Sequence, residues 1–321
     1  MNKRLFSALL AVLTLFCTLL TVSCNVSVKE YDVVCTSYVV YDWTLSLVAE
    51  CGEEISVLHL GAEGQDVHNY EPTAADIMAL SRATLFAHIG GESDEWVERV
   101  LVSANNPTLK RLDICREMEE LIEEKCGGGH EQSEHEHSDH EHDFDEHVWF
   151  DFDLARESVA LLSDALCEIS PSNEGKIREN EKKLRDDITA IEGEYRTMLG
   201  GAELDTVVVA DRYPFSYLFD ALGIKAEAAY NGCSAESEAS FEVVKRLSST
   251  IDTLGISYVA VCENSRTDIA RAVIQNTSSR DAEILVLDSM QSKKLSERGG
   301  GYAVSMRENL ETLAVLLSAG R

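Results

Sequence analysis

Short apolar runs alternate with segments of helical periodicity through the first half of the chain. The runs at residues 32–40, 55–60 and 84–89 are rich in β-branched and apolar residues, which predicts buried strands. Residues 42–50 and 95–104 are predicted to form helices that follow such strands. This alternation is typical of parallel βα units, in which binding sites lie at the carboxyl ends of the strands.

The second half of the chain has the same rhythm. Strands are predicted at residues 206–210, 225–230, 258–262 and 283–287. Helices are predicted between or after them, at residues 213–222, 240–254, 267–277 and 303–318. The pattern as a whole therefore predicts an α/β fold.

One long polar helix is predicted between the two halves, at residues 172–199. Its apolar residues recur at spacings of three, four or seven: Ile177, Leu184, Ile188, Ile191, Tyr195 and Met198. They form one narrow stripe along about 40 Å at 1.5 Å per residue. Such a helix suits a connector between two lobes, whereas a coiled-coil arm would need more heptads than are present.

The N-terminus has the pattern of a secretion signal. Lys3 and Arg4 precede an apolar run over residues 5–20 that is too short for a spanning helix and ends in small residues. The segment resembles a bacterial lipoprotein signal, in which Cys24 would become the lipidated first residue. Thr21 departs from the usual Leu or Val, so ordinary cleavage that leaves a free Cys24 stays an alternative. Both alternatives predict an extracytoplasmic protein.

Composition narrows the class of partner. The chain has 321 residues, of which 45% are hydrophobic, which suits one large or two medium domains. Its formal net charge of -29 repels phosphate backbones, and no basic nucleic-acid motif is present. Such acidity is compatible with cationic partners, although acidity alone often serves only solubility.

The cysteines give no metal motif. Beyond Cys17 and Cys24 they form no CxxC pair, and their odd number forbids complete internal pairing. Most are expected to be small buried hydrophobes. They are Cys35, Cys51, Cys115, Cys126, Cys167, Cys233 and Cys262.

Histidines concentrate in residues 127–151, GGGHEQSEHEHSDHEHDFDEHVWFD. Up to Asp143 this stretch has three glycines and no aliphatic residue, which predicts a mobile loop that binds zinc-like metals weakly. A solvated polar linker is the alternative. The loop histidines are His130, His135, His137, His140 and His142.

Two other histidines are candidates for a well-defined metal site. His147 lies where aromatic residues return, so packed structure can hold it rigidly. His68 lies on a loop before a helix whose predicted N-cap is Thr73, with Asp76 as its partner. The strand-end acid Asp288 is a possible ligand or helix cap.

Other polar and aromatic residues have predicted structural roles. Glu263 ends a strand and is interpreted as structural or as a hinge contact. Two strand histidines are expected in the core, and four residues are expected to pack around the site. These are His59 and His88, and Tyr70, Glu92, Trp96 and Trp149.

Several motifs in order resemble the zinc/manganese solute-binding proteins of ABC importers. They are VHNYEPTAADI, GGESDEWVERVL, the histidine-rich loop, DEHVWFD, the long helix, GCSAESEAS and LVLDS. The likeness runs from about residue 32 to the C-terminus. It implies two parallel-sheet βα lobes joined by a long rigid helix, with the metal between the lobes. The implied divisions are a signal at 1–23, an N-terminal lobe at 24–171 that includes the loop at 127–143, a linking helix at 172–200 and a C-terminal lobe at 201–321.

The resemblance also implies a ligand set. His68 and His147 match the two N-lobe histidine ligands of the family, and Asp288 matches the C-lobe aspartate. The fourth position falls on Arg212 in RYPFSY, which cannot bind a cation because guanidinium stays protonated.

Three hypotheses follow from Arg212. His68, His147 and Asp288 can form a three-ligand site completed by water. Alternatively, a nearby carboxylate takes the fourth place: Asp211, Glu236 or Glu238. The third hypothesis is a degraded site, or a cargo other than a bare ion.

Two imidazoles with one or two oxygens favour Zn²⁺, whereas Mn²⁺, the alternative, prefers more carboxylate. The expected partners are an ABC permease with its ATPase and, through lipid on Cys24, the membrane; a monomer is expected. A surface metal buffer or adhesin without a transporter is an alternative. A zinc hydrolase is disfavoured because the sequence contains no HExxH, GxSxG or phosphate-binding glycine motif.

Overall fold

The computed structural model describes residues 30–61, 68, 70–126, 145–230, 240–292 and 301–318. The predicted signal with Cys24 and the histidine-rich loop lie outside the described residues. So do Glu236 and Glu238 of the GCSAESEAS motif. No helix within the described ranges has both the length and the apolar character needed to cross a membrane.

The first lobe is built on a four-stranded parallel sheet with the strand order β2-β1-β3-β4. Its strands are β1 (Val33–Cys35), β2 (Val57–His59), β3 (Leu85–His88) and β4 (Lys110–Asp113). Its helices are α1 (Tyr38–Val48), α2 (Ala74–Leu80), α3 (Val97–Ala104), α4 (Ile114–Glu117), α5 (Glu119–Cys126) and α6 (Phe152–Ile169).

The predicted strand at residues 32–40 is wrong beyond Cys35. Helix α1 begins at Tyr38 because the hydroxyl of Ser37 accepts a hydrogen bond from the backbone N–H of Val40, at 3.3 Å, and caps the helix. Tyr38, Val39 and Val40 are buried, as a strand would also have buried them. Burial therefore did not distinguish the two alternatives.

Helix α7 (Glu174–Leu199) has 26 residues and follows the predicted connector closely. Ile177, Ile188, Ile191 and Tyr195 are fully buried, whereas Met198 at the end of the predicted stripe is 52% exposed. The apolar stripe thus packs against the protein over most of its length.

The second lobe repeats the architecture, with a four-stranded parallel sheet in the order β6-β5-β7-β8. Its strands are β5 (Thr206–Val209), β6 (Lys225–Ala228), β7 (Tyr258–Cys262) and β8 (Glu283–Leu287). Its helices are α8 (Ser216–Leu222), α9 (Phe241–Leu254), α10 (Asp268–Gln275) and α11 (Gly301–Leu316). The predicted α/β class, with two parallel-sheet lobes and a long linking helix, is confirmed.

The C-terminal helix α11 also connects the lobes. The backbone N–H of Tyr302 donates to Asp42 of α1 at 2.9 Å, and its phenol donates to the carbonyl of Trp149 at 2.9 Å. The phenol of Tyr195 on α7 donates to the carbonyl of Met306 at 2.6 Å. Two helices, α7 and α11, therefore hold the lobes together through buried contacts.

Five cysteines in the described part of the chain form no disulfide bond. Cys35, Cys115, Cys167 and Cys262 are buried, and Cys51 is half-buried. The prediction that most cysteines are buried is confirmed for four of these five positions.

Candidate metal site between the lobes

His147 is fixed by the residues on both sides of it. The 3₁₀ turn Val148–Phe150 follows directly and is buried in the core. The imidazole Nδ1–H donates to Asp145 Oδ1 at 2.5 Å, and the backbone N–H of His147 donates to the same oxygen at 3.0 Å. A carboxylate on Nδ1 holds the ring in the tautomer whose Nε2 carries a lone pair, which is the usual arrangement for a metal-binding histidine.

His68 has a matching arrangement through a serine. Its Nδ1 lies 3.0 Å from the hydroxyl of Ser93, which itself donates to Glu146 Oε1. Because the hydroxyl hydrogen points to Glu146, the serine oxygen accepts from His68 Nδ1–H. The Nε2 of His68 therefore also carries a lone pair.

Glu146 brings a carboxylate to the two imidazoles. It is only 5% exposed, accepts from the backbone N–H of Ser93 at 2.8 Å, and has Oε1 3.7 Å from His68 Nε2. Burial raises the pKa of Glu146 to about 7. Gly91 makes this approach possible, because it has a φ of 77° and a Cβ there would lie 2.6 Å from Glu146 Oε2.

His68, Glu146 and His147 form a cluster whose ligand atoms all lie within 4.8 Å of one another. The two imidazole rings are 6.1 Å apart between centroids. Two imidazole nitrogens and one carboxylate oxygen match the ligands that zinc takes in proteins. Because zinc usually has four ligands, one coordination position would remain for a fourth. The arrangement can therefore hold a divalent cation.

The second lobe contributes Gln291, in the loop after β8. Its side-chain nitrogen lies 2.8 Å from Nε2 of His68 and 2.7 Å from Nε2 of His147. Gln291 is 4% exposed, so these contacts are made in a place from which most water is excluded. The site thus lies between the lobes, with two histidines from one and an amide from the other.

Asp288 lies in the same loop but is not a member of the cluster formed by described residues. Its Oδ1 accepts from the backbone N–H of Met290 at 2.9 Å, and its own N–H donates to Asn309 at 2.7 Å. In this structure Asp288 shapes the turn that carries Gln291.

Asp211, one of the alternatives for the fourth ligand, contacts backbone groups. Asp211 Oδ1 accepts from the N–H of Arg212 at 2.8 Å, and its Oδ2 accepts from the N–H of Cys262 at 3.0 Å. The carbonyl of Arg212 accepts from the thiol of Cys262 at 3.4 Å. Asp211 therefore joins the ends of β5 and β7 and is not part of the histidine cluster.

Glu263 also holds the loop after β8. Its two oxygens accept from the backbone N–H and the hydroxyl of Ser289, each at 2.6 Å, and Oε1 accepts from Ser292 at 3.2 Å. Burial, and after it the charge of Asp288, raises the pKa of Glu263. The prediction that Glu263 has a structural role agrees with these contacts.

Of the four residues predicted to pack around the site, Trp149 contacts His147, Tyr70 and Trp96 contact each other, and Glu92 does not contact the site. Trp149 lies 5.0 Å from the ring of His147, and Tyr70 lies 5.2 Å from Trp96. Glu92 is exposed, whereas the next residue, Ser93, is the one that contacts the site.

The strand histidines His59 and His88 are buried, as predicted. His88 is hydrogen-bonded between Asp94 at 3.2 Å and Arg111 at 2.9 Å. It is therefore a structural histidine whose two ring nitrogens are both used.

Sequence reasoning missed Glu146 and Gln291. Glu146 is in the DEH motif beside a predicted ligand, but no strand or helix period shows which way a side chain in irregular backbone points. Gln291 follows the predicted Asp288 by three residues. Gln291 follows a parallel strand, and binding residues of such sheets lie beyond the carboxyl ends of the strands, so this position could have indicated it.

Comparison with known proteins assigns the chain to a family. The family model described as zinc-uptake complex component A, periplasmic (ZnuA), matches residues 33–315. The chain is 24% identical over 324 residues to the zinc-binding protein AdcA of Streptococcus pyogenes serotype M3, covering 98% of this chain and 61% of that protein. It is 27% identical over 311 residues to the zinc-binding lipoprotein AdcA of Streptococcus pneumoniae serotype 4, covering 94% and 59%. The chain therefore spans about three fifths of the length of these relatives.

The fold is also found among solved structures. The Zn(II)-bound ZnuA-like domain of Streptococcus pneumoniae AdcA superposes with a TM-score of 0.68 at 22% identity, over 90% of this chain and 99% of that one. At this identity the likeness establishes the shared fold.

Proposed function

Because the chain belongs to the family of zinc-uptake complex component A, we propose that it captures a divalent cation between its lobes and delivers it to an ABC importer. One observation carries the proposal. The Nε2 lone pairs of His68 and His147 converge beside the carboxylate of Glu146, and hydrogen bonds at both Nδ1 atoms hold the rings in that orientation.

Zinc is the proposed cargo, with manganese as the alternative. Two imidazoles and one carboxylate suit zinc, whereas manganese prefers more oxygen ligands. The proposed ligands are His68, Glu146 and His147. Asp288, which the resemblance implies as a ligand, remains a candidate for the fourth position; its Oδ1 accepts from the N–H of Met290 in this structure.

Transport requires no covalent chemistry from this chain. The protein binds the ion outside the cytoplasm and releases it at the permease, where docking must favour a state of lower affinity. In this proposal residues 24–171 and 201–321 are the two lobes and residues 172–200 link them. The protein acts as a monomer, held at the membrane by lipid on Cys24, and its partners are the permease and its ATPase.

The histidine-rich loop has a supporting role in this proposal. Its histidines raise the local concentration of zinc and pass ions to His68 and His147, as a tethered second site does. Deleting residues 129–143 should reduce uptake of zinc only when the metal is scarce. Unchanged uptake under zinc limitation would show that the loop does not supply zinc to the site.

Competitive titration tests the capture of metal. The protein from Asn25 onward, without residues 129–143, is titrated with zinc against a chelator of known affinity, and its metal content is measured by elemental analysis. We expect one tightly bound zinc per chain, lost in His68→Ala and in His147→Ala. Glu92→Gln, which changes an exposed acid beside the site, is the control and should bind as the parent does.

A permease-binding assay tests delivery. Zinc-loaded protein that binds the permease supports the importer, and zinc binding without permease binding would favour a surface metal buffer instead.

A further inference from the structure

The amide of Gln291 is placed where a captured cation would be. Its nitrogen is 2.8 Å from Nε2 of His68 and 2.7 Å from Nε2 of His147. A primary amide has two N–H donors, so one nitrogen can donate to both rings. This requires a lone pair on each Nε2, which is also what a metal ion requires.

The hydrogen bonds on the far side of each ring fix the orientation of the amide. His147 donates from Nδ1 to Asp145, and His68 donates from Nδ1 to Ser93. The side-chain oxygen of Gln291 accepts from the hydroxyl of Ser289 at 3.1 Å, so its nitrogen is the atom that faces the two rings. In this orientation each Nε2 accepts a hydrogen bond, as the donation from each Nδ1 allows.

The loop after β8 is shaped to hold Gln291 in this position. Met290 is buried and has a φ of 62°, in the left-handed region that non-glycine residues rarely adopt. The hydroxyl of Ser289, bonded to Glu263, lies 3.1 Å from the side-chain oxygen of Gln291. Backbone conformations of this kind persist where surrounding contacts enforce them, often at functional sites.

We propose that Gln291 is an interlobe plug: in the metal-free protein its amide satisfies both histidines, and a cation binds only by displacing it. The proposal rests on the proposed function, since it concerns the same site. Gln291 is therefore a residue that sets metal affinity by stabilising the metal-free state, and it is not a ligand.

A plug of this kind has a distinctive effect on affinity. The free energy needed to displace the amide is a property of the metal-free protein. It therefore lowers the affinity for every cation by the same factor. A ligand, in contrast, would contribute differently to zinc and to manganese. Two neutral hydrogen bonds to buried acceptors correspond to about a tenfold change in the binding constant.

The test compares Gln291→Ala with Gln275→Ala, a substitution of an exposed glutamine at the end of α10. Zinc and manganese affinities are measured by competition, and zinc association by stopped flow. We expect Gln291→Ala to bind both metals about tenfold more tightly and to take up zinc faster, with Gln275→Ala unchanged. Weaker or unchanged binding by Gln291→Ala would overturn the plug.

A second measurement uses the unsubstituted protein and so does not depend on how the variant folds. In the metal-free form, nuclear Overhauser effects should connect the side-chain NH₂ of Gln291 to the rings of His68 and His147, and zinc should abolish them. Contacts that persist in the zinc-loaded protein would overturn the proposal. Failure of the unsubstituted protein to bind zinc would instead refute the proposed function, so the two failures are distinguishable.

Discussion

Asp145 and His147 are joined by a 2.5 Å hydrogen bond between the carboxylate and the imidazole Nδ1. The other oxygen of Asp145 accepts from the hydroxyl of Ser216, and its carbonyl accepts from the phenol of Tyr217 at 3.0 Å. Ser216 and Tyr217 belong to α8 of the second lobe. The residue that orients one proposed ligand is therefore itself held by the opposite lobe.

Asp145→Asn should weaken zinc binding by about 10- to 100-fold, the range for removal of a carboxylate that orients a metal-binding histidine. Burial alone would raise the pKa of Asp145, but His147 and the hydrogen bonds from His147 and Ser216 lower it below its ordinary value. The carboxylate is thus ionised at neutral pH, and its charge is what the amide lacks.

Competitive titration with a chelator measures this effect. Ser216→Ala is the matched control, because it keeps the carboxylate beside His147 and removes only one contact with the second lobe. Ser216→Ala should weaken zinc binding less than Asp145→Asn does. Equal affinities for Asp145→Asn and the parent would show that Asp145 does not prepare His147 for metal.

Glu146→Gln tests the third proposed ligand. Glutamine keeps the size of the side chain and an oxygen that can accept from Ser93, but it cannot ionise and so removes the carboxylate that lies 3.7 Å from His68. Zinc affinity should fall by at least about tenfold, which corresponds to about 1.4 kcal/mol. The exposed Glu92→Gln should leave affinity unchanged, and a similar result for both variants would exclude Glu146 as a ligand.

Ile191→Ala tests the packing of the linking helix. Ile191 is fully buried on α7, and truncation of a buried isoleucine costs about 2–5 kcal/mol of the free energy of unfolding. Met198→Ala, on the same helix but half-exposed, should cost much less. Urea denaturation followed by circular dichroism measures both, and equal losses would contradict the buried face assigned to α7.

Thiol labelling tests the burial of the cysteines. Burial raises the pKa of Cys35 to about 12 and that of Cys115 well above its ordinary value, so neither carries much thiolate at pH 8. The half-buried Cys51 should react much faster with iodoacetamide. Raising the pH from 7 to 9 should increase the labelling rate of Cys51 but barely change that of Cys35.

Peptide mass spectrometry locates the label at each cysteine. Denatured protein, in which all the thiols react, is the control. Rapid labelling of Cys35 or Cys115 in the native protein would contradict the buried positions of these thiols.

The sequence predicts the architecture well because periodicity reports which residues must be buried. The β7 and β8 ranges match their predictions, and the predicted cap at Thr73 is a full capping box with Asp76. Strand β4 (Lys110–Asp113) is not among the predicted strands. It is a polar strand at the edge of its sheet, so it lacks the apolar run on which strand predictions depend.

The candidate site could be predicted only in part. His68 and His147 meet as the resemblance implies, but Glu146 and Gln291 depend on how irregular segments turn their side chains. The direction of Gln291 is set by the turn at Met290, whose left-handed conformation no residue preference announces. The start of α1 is a similar case, because apolar residues after Cys35 are buried in either conformation.

The position of bound zinc tests most directly whether His68 and His147 capture the metal. Crystals of the zinc-loaded protein, prepared without residues 129–143, give that position by anomalous scattering at the zinc edge. We predict one strong peak between the lobes, about 2.0–2.1 Å from Nε2 of both His68 and His147. A fully occupied zinc bound elsewhere, with both histidines still bonded to Gln291, would show that these histidines do not capture the metal.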